Sequence, residues 1–545
     1  MVSLIWFSGH RPDLSPACAR GSGNVPGRRA ASGCPVVDRR RRYVVRKWLF
    51  RGLLLLIVLG VVGAGVGVWV LTRPPIDTVG EVSFDRALAV PPLAPSTVDK
   101  DGRRVFELRA QAGQTDLGRG EPSATWGYNG AHLGPTLRAK RGEQVVVNIT
   151  NQLGEDTTVH WHGMHLPARM DGGPDRPIRP GETFAPRWRV DQPAATLWYH
   201  PHPHERTETQ VYRGLAGMFL IDDPDTDVAT LPHEYGVDDI PVMVQDKAFD
   251  DDGQLTESGR FGSEIGILGD SVLVNGVPGP YLDVTTTLVR LRLLNASTAR
   301  IFNFSLSDGR PFTLIGSDGG LLDRPHQVER LMLSTGERAE VLVAMRPGER
   351  VVLRSGPPAP EGDFATRRFQ GGGDRFDVLE LRAAATLKPS PAVPSTLVAV
   401  PRLDPASAAE TREMRFSTRD INGRKMEHGR VDAVVTRDST EVWTVRNGHG
   451  TPHSFHIHDV QFQVLARTDG GPVPPLLSGW KDTVYLPPHE GYRVIMRFTD
   501  FADPATPYMF HCHVLRHEDE GMMGQFVVVE PGGAPQLTTH HEHGG

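Results

Sequence analysis

Cysteine is nearly missing from this chain. There are three in 545 residues, and Cys18 and Cys34 fall within the first 51. Cys512 stands alone in the remaining sequence, which excludes a disulfide framework for the main body. Long amphipathic helical patterns are also lacking, while the counts of Gly (59) and Pro (45) suit many turns between short strands. Excess positive charge is absent beyond residue 51. The first 51 residues carry 11 Lys+Arg against 2 Asp+Glu, a net of +9, so a whole-chain charge of −6 leaves −15 for residues 52–545. That balance argues against nucleic acid as a partner and suits cationic ones such as metal ions.

Gly52–Thr72, "GLLLLIVLGVVGAGVGVWVLT", is a 21-residue run without charge. As a helix it would span roughly 31 Å, enough for a bilayer core. The flank "RRRRYVVRKWLFR" puts residues 1–51 in the cytoplasm as a basic tail and exports everything after Arg73. The expected location is the extracytoplasmic face of the membrane if 52–72 is a signal-anchor, or periplasmic or secreted if it is cleaved. "RRYVVRK" also resembles a twin-arginine export signal.

The exported part repeats itself. "WGYNGAHLGPTLRAKRGEQVVVNITNQ" (126–152), "VLVNGVPGPYLDVTTTLVRLRLLNAS" (272–297) and "DINGRKMEHGRVDAVVTRDSTEVWTVRNG" (420–448) each join an Asn-Gly turn to a run patterned as a half-buried strand. A second unit recurs in the same order: "RPGETFAPRWRV", "STGERAEVLVAM" and "PPHEGYRVIMRF". The reading is all-β, three related β-sandwich domains over 73–225, 226–390 and 391–532, then a His-containing tail at 533–545.

"HCHVLRHEDEGMMG", His511 to Gly524, concentrates Cys512, His517 and Met522. Two His, a Cys thiolate and a weak axial Met make the blue-copper electron-transfer set. Four His-x-His pairs occur: His160 and His162, His200 and His202, His456 and His458, His511 and His513. On a strand, i and i+2 share a face, so each pair offers two imidazoles to one place. Eight exceed the needs of one metal but suit a small cluster. His453 precedes His456 by an odd step and supplies the missing blue-copper ligand from the opposite face. Cys512 is joined through its own backbone to both flanking histidines, a short covalent route for an electron.

With "HWHG", "WYHPH", "HSFHIH" and "HCHVLRHEDEGMM" in this order, roughly residues 80–530 resemble the bacterial three-domain multicopper oxidases, the laccase and cuprous oxidase group of the cupredoxin superfamily. The resemblance implies three cupredoxin-like Greek-key β-sandwich domains after one N-terminal transmembrane helix, and four copper ions. His160 and His456 would hold the type 2 copper. His162, His200, His202, His458, His511 and His513 would hold the type 3 pair. His453, Cys512, His517 and Met522 would hold the type 1 ion. The implied activity is one-electron oxidation of phenolic donors or metal ions coupled to reduction of O2 to water, by a monomer. Asp171 is either a turn former or an acid feeding protons to the cluster, a role the resemblance also gives Glu518. Asp482 either orients His453 or ends a strand. His204, His449, His540, His541 and His543 stand outside these coppers, although the tail suits loose metal binding.

Rivals are a copper-free structural or cell-division homologue, a copper-storage protein and a two-domain nitrite reductase. Intact ligands, the Cys-His relay and three repeats count against them in turn. Cuprous oxidases often carry a Met-rich insertion over the type 1 site. No methionine cluster outside "GMM" occurs in 391–532, so a laccase-like donor range is expected over the cuprous-oxidase alternative.

Overall fold

The computed structural model describes residues 39–72, 74–224, 226, 230–258, 265–358 and 369–537; Cys18, Cys34 and the tail histidines lie outside them. The chain divides into two units, Met1–Arg73 and Pro74–Gly545. In the first, Arg39–Thr72 forms one 34-residue helix. Leucine favours it and Pro74 comes just after its end. The expected span at 52–72 is part of this longer helix, which takes in the basic flank, and its most apolar stretch is Arg46–Gly65. That stretch is long and apolar enough to cross a membrane and is nowhere buried within the protein, as fits an anchor or a signal.

Among the described residues the second unit has six sheets that fall in three pairs along the chain. In the first pair, Arg104–Thr115 and Gln144–Asn151 run parallel, and a four-stranded sheet is ordered Leu137–Lys140, Gly217–Asp222, Ala195–His200, His160–His162. Phe106, Val145 and Val147 from one sheet meet Trp161, Leu197 and Phe219 from the other in one core. The second pair lies within 239–388, with Arg86–Ala87 added at the edge beside Pro280–Thr286. That two-residue strand precedes the first sandwich in sequence yet pairs with the second. The third pair spans 410–529, and its core is continuous with that of the second.

The repeats carry one turn device. Asn129, Asn275 and Asn422 all take positive φ (58°, 50° and 55°) before a glycine, the conformation that tight hairpin turns demand. Each Asn Oδ1 accepts from one backbone N–H, that of Arg109, Met243 or Arg415. Each Nδ2 donates to the carbonyl two residues earlier, that of Glu107, Pro241 or Glu413. The same side chain closes the same bend three times.

One strand departs from its pattern. "LVRLRLLN", Leu288–Asn295, was expected to be half-buried, but Arg290 and Arg292 are buried too. The face that alternation would leave wet meets the first sandwich: Thr196 and Arg292 both bond to Glu340 Oε1, at 2.6 and 2.9 Å.

Candidate metal centres

His160 and His162 occupy a three-residue strand whose middle residue, Trp161, points into the first core, so both imidazoles leave by the other face. His200 ends the neighbouring strand opposite His160. Pro201 cannot donate to the ladder, and the strand stops there, leaving His202 in the next loop. In the third sandwich, His453–Ile457 pairs antiparallel with Tyr508–Cys512, setting His456 against His511 and Phe455 against Cys512. His458 and His513 each come just after a strand end. Only the first pair lies wholly within a strand, yet all eight imidazoles gather in one buried place between the first and third sandwiches.

Their hydrogen bonds assign the tautomers. Nδ1–H of His200 donates to Pro201 O at 2.7 Å, that of His456 to Asp482 O at 2.9 Å, and that of His458 to Asp171 Oδ2 at 2.7 Å. His160 and His511 turn Nδ1 to the carbonyls of Asp171 and Cys512, both at 3.2 Å. Nε2 of these five is left as a lone pair facing inward. His162 is reversed: Nε2–H meets Asp482 Oδ1 at 3.1 Å and Thr483 Oγ1 at 2.9 Å, leaving Nδ1 inward.

Nε2 of His458 and His511 lie 3.2 Å apart, those of His202 and His511 3.3 Å, and those of His160 and His456 3.4 Å. For His458 with His511 and His160 with His456, lone pair faces lone pair, which is repulsive unless a cation lies between. An ion about 2 Å from each nitrogen fits that spacing. Burial keeps six of these imidazoles neutral and ligand-competent: it pulls His202 down to about 4 and His513 to about 3, and holds His162, His200, His456 and His458 well below the usual range.

The second group lies across the strand. Nδ1 of His453 and His517 are 3.2 Å apart, and each is 3.5 Å from Cys512 Sγ. His517 is carried by the short helix Leu515–Asp519. Met522 is fully buried, and its carbonyl accepts from Cys512 N at 3.1 Å. Burial lowers His453 to about 3 and raises the Cys512 thiol to about 12. A thiol so reluctant to ionise in the apo site becomes a thiolate when a soft cation replaces its proton.

Both proton-relay candidates are buried beside the cluster. Asp171 is 2% exposed and also comes within 3.3 Å of His160 Nδ1. Glu518 stands 3.4 Å from His202 Nδ1 and 3.2 Å from His511 Nδ1. Asp482 corrects an expectation. It touches His162 and His456, with no part at His453, because strand Thr483–Leu486 sets Thr483 opposite His456 and Leu486 opposite His453. Sequence reasoning missed its support. Arg338, from the second sandwich, grips both Asp482 oxygens at 2.6 Å, while Lys481 pairs with Asp318 and Glu337 at 2.8 and 2.9 Å. All five are buried. The available signal was charge inside apolar strand sequence, in "GERAEVLV" and "GWKDTVYL". His204 and His449 lie outside both groups.

Comparison with known proteins places these features in company. Three family models, each described as multicopper oxidase, match residues 109–226, 245–351 and 398–532. "Multicopper oxidase mco" of Staphylococcus haemolyticus is 35% identical over 444 residues, 80% of this chain and 91% of that protein. "Cell division protein FtsP" of Xenorhabdus nematophila is 37% identical over 450 residues, 81% of this chain and 92% of that one. The crystal structure of a laccase from Pediococcus acidilactici Pa5930 superposes with a TM-score of 0.74 at 35% identity, covering 82% of this chain and 94% of the other.

Proposed function

The chain belongs to the multicopper oxidases, of cupredoxin fold, and we propose that it is a laccase-like member that oxidises phenolic donors one electron at a time and reduces O2 to water. The observation that carries the reading is the convergence of Cys512, His453 and His517 on one side, while His511 and His513, the residues on either side of Cys512, enter the histidine cluster on the other. We assign the type 1 copper to His453, Cys512, His517 and Met522, the type 2 copper to His160 and His456, and the type 3 pair to the other six histidines. Bound copper would supply reversible one-electron exchange at the first site and O2 reduction at the cluster.

The chain's own residues do the rest. His453 takes the donor's side, and the Cys512 backbone links it to the cluster. Asp171 and Asp482 hold His458, His456 and His162 in the tautomers that point lone pairs inward. Asp171 and Glu518, each against two cluster imidazoles, are placed to hand on the protons that O2 reduction consumes. The domain limits 73–225, 226–390 and 391–532 belong to this reading, as does export of the oxidase by the apolar helix.

The donor class rests on methionine. Of Met414, Met426, Met496, Met509, Met522 and Met523, all but Met426 are buried. Among the described residues the third sandwich therefore presents no group of exposed thioethers, the ligands that select Cu(I). The likeness to the cell-division protein favours a role in cell division, but twelve intact donor positions favour the oxidase. Copper-loaded protein should oxidise phenols without added metal. Negligible phenol oxidation beside fast, saturable Cu(I) oxidation would replace this reading with a cuprous oxidase.

A further inference from the structure

A second meeting of histidines lies outside the two metal centres. His204 sits on the turn after His202, before the helix Thr207–Arg213, whose first N–H groups Asp519 caps at 2.8 and 2.9 Å. His428 sits on a turn of the third sandwich, in a loop held by Met426 N bonding to Gly521 O at 2.8 Å and by Arg430, which bonds to Lys425 O at 2.8 Å and Asp432 at 2.8 Å. Sequence distance hides their approach: the two rings lie 5.4 Å apart, centroid to centroid, at 71°. Asp175 Oδ1 accepts from His428 Nδ1 at 3.0 Å, and Glu205 lies 3.8 Å from His204 Nδ1.

We propose that His204 and His428, with Asp175 behind His428, form a divalent-metal site at the surface where the first and third sandwiches meet. Two imidazoles sharing an ion at about 2 Å per nitrogen have ring centroids roughly 5 Å apart. Similar spacings recur among the buried histidines: His202 with His511 at 4.9 Å, His458 with His511 at 5.3 Å and His453 with His517 at 5.0 Å, with His160 and His456 wider at 5.7 Å. Asp175 adds the carboxylate–imidazole contact that fixes Nδ1–H and leaves Nε2 to the ion. Two imidazoles open to water suit a borderline, redox-inert cation such as Zn(II), completed by water or by the exposed Glu205. Bound there, the ion ties the His428 loop to the segment bearing His202. It carries no electron, so the inference is independent of the proposed donor and of turnover.

A ring contact without any ion would show similar spacing, and a zinc titration of the full-length, copper-filled protein separates the two. The expected result is one Zn(II) bound per chain beyond the copper, with a higher Tm. His428→Ala and His204→Gln should each abolish this binding, and Asp175→Asn should weaken it about 10-fold, with copper content and visible spectrum unchanged. Replacing His540, His541 and His543 with alanine should leave it intact. No additional zinc, or zinc lost with the tail histidines and kept in His428→Ala, overturns the proposal.

Discussion

Cys512 answers for two properties at once, since its sulfur meets His453 and His517 while its backbone joins it to two cluster histidines. Cys512→Ser should remove any intense visible band and oxidase turnover. Its structural effect should be modest, about 1–3 kcal/mol for a buried hydroxyl with poor partners. Absorption spectra and urea denaturation read the two separately, and a variant that keeps the band refutes the assignment. His200 separates the centres, since it stands with His160 and His162 in the cluster and away from Cys512's sulfur. His200→Ala should keep the band, be bleached by donor and then fail to recover in air. At this scale the gathering of these side chains was legible in sequence, because soft ligand types at short spacings have few other uses. Asp482 was not legible. Its imidazole partners are His162 and His456, its guanidinium partner is Arg338, and chain order gives no hint that these meet.

Strands translate those spacings into places, and their patterns failed where a second surface covered them. Leu288–Asn295 reads as half-buried, but its arginines pair with Asp239 and Glu340 on the flanking strands of the same sheet, and Thr196 of the first sandwich covers that face. Glu340 is the linchpin. Burial alone would push its carboxyl up, yet Arg290 and Arg292 outweigh that and hold it at about 2. A carboxyl held below its ordinary value of 4.5 adds stability that is complete above that pH and fades as pH falls toward 2. Glu340→Gln should cost about 3–5 kcal/mol near neutrality, because it takes the carboxylate from buried Arg290 and leaves Arg292 only the Asp239 carboxylate. The variant's deficit should shrink between pH 4.5 and 2, measured by denaturant unfolding as far as the protein stays folded; a deficit that grows there would contradict the pairing.

The whole molecule joins an apolar helix to a three-sandwich oxidase. Both were visible in sequence, the helix by an uncharged run and the sandwiches by repeats. The helix's reach through the basic flank 39–51 was not, because arginine marks a membrane boundary without breaking a helix. If the helix exports the sandwiches, protease added to intact cells, or to spheroplasts where an outer membrane exists, should degrade them. Full protection of a folded enzyme would place it in the cytoplasm.

The central claim is that twelve side chains hold copper in a mononuclear site wired to a histidine cluster. Copper analysis of the purified, fully loaded protein beside its visible spectrum tests it most directly. The account predicts four copper ions per chain and an intense blue band that donor bleaches and air restores. A colourless protein that binds no copper, or copper bound without the blue band, would contradict it.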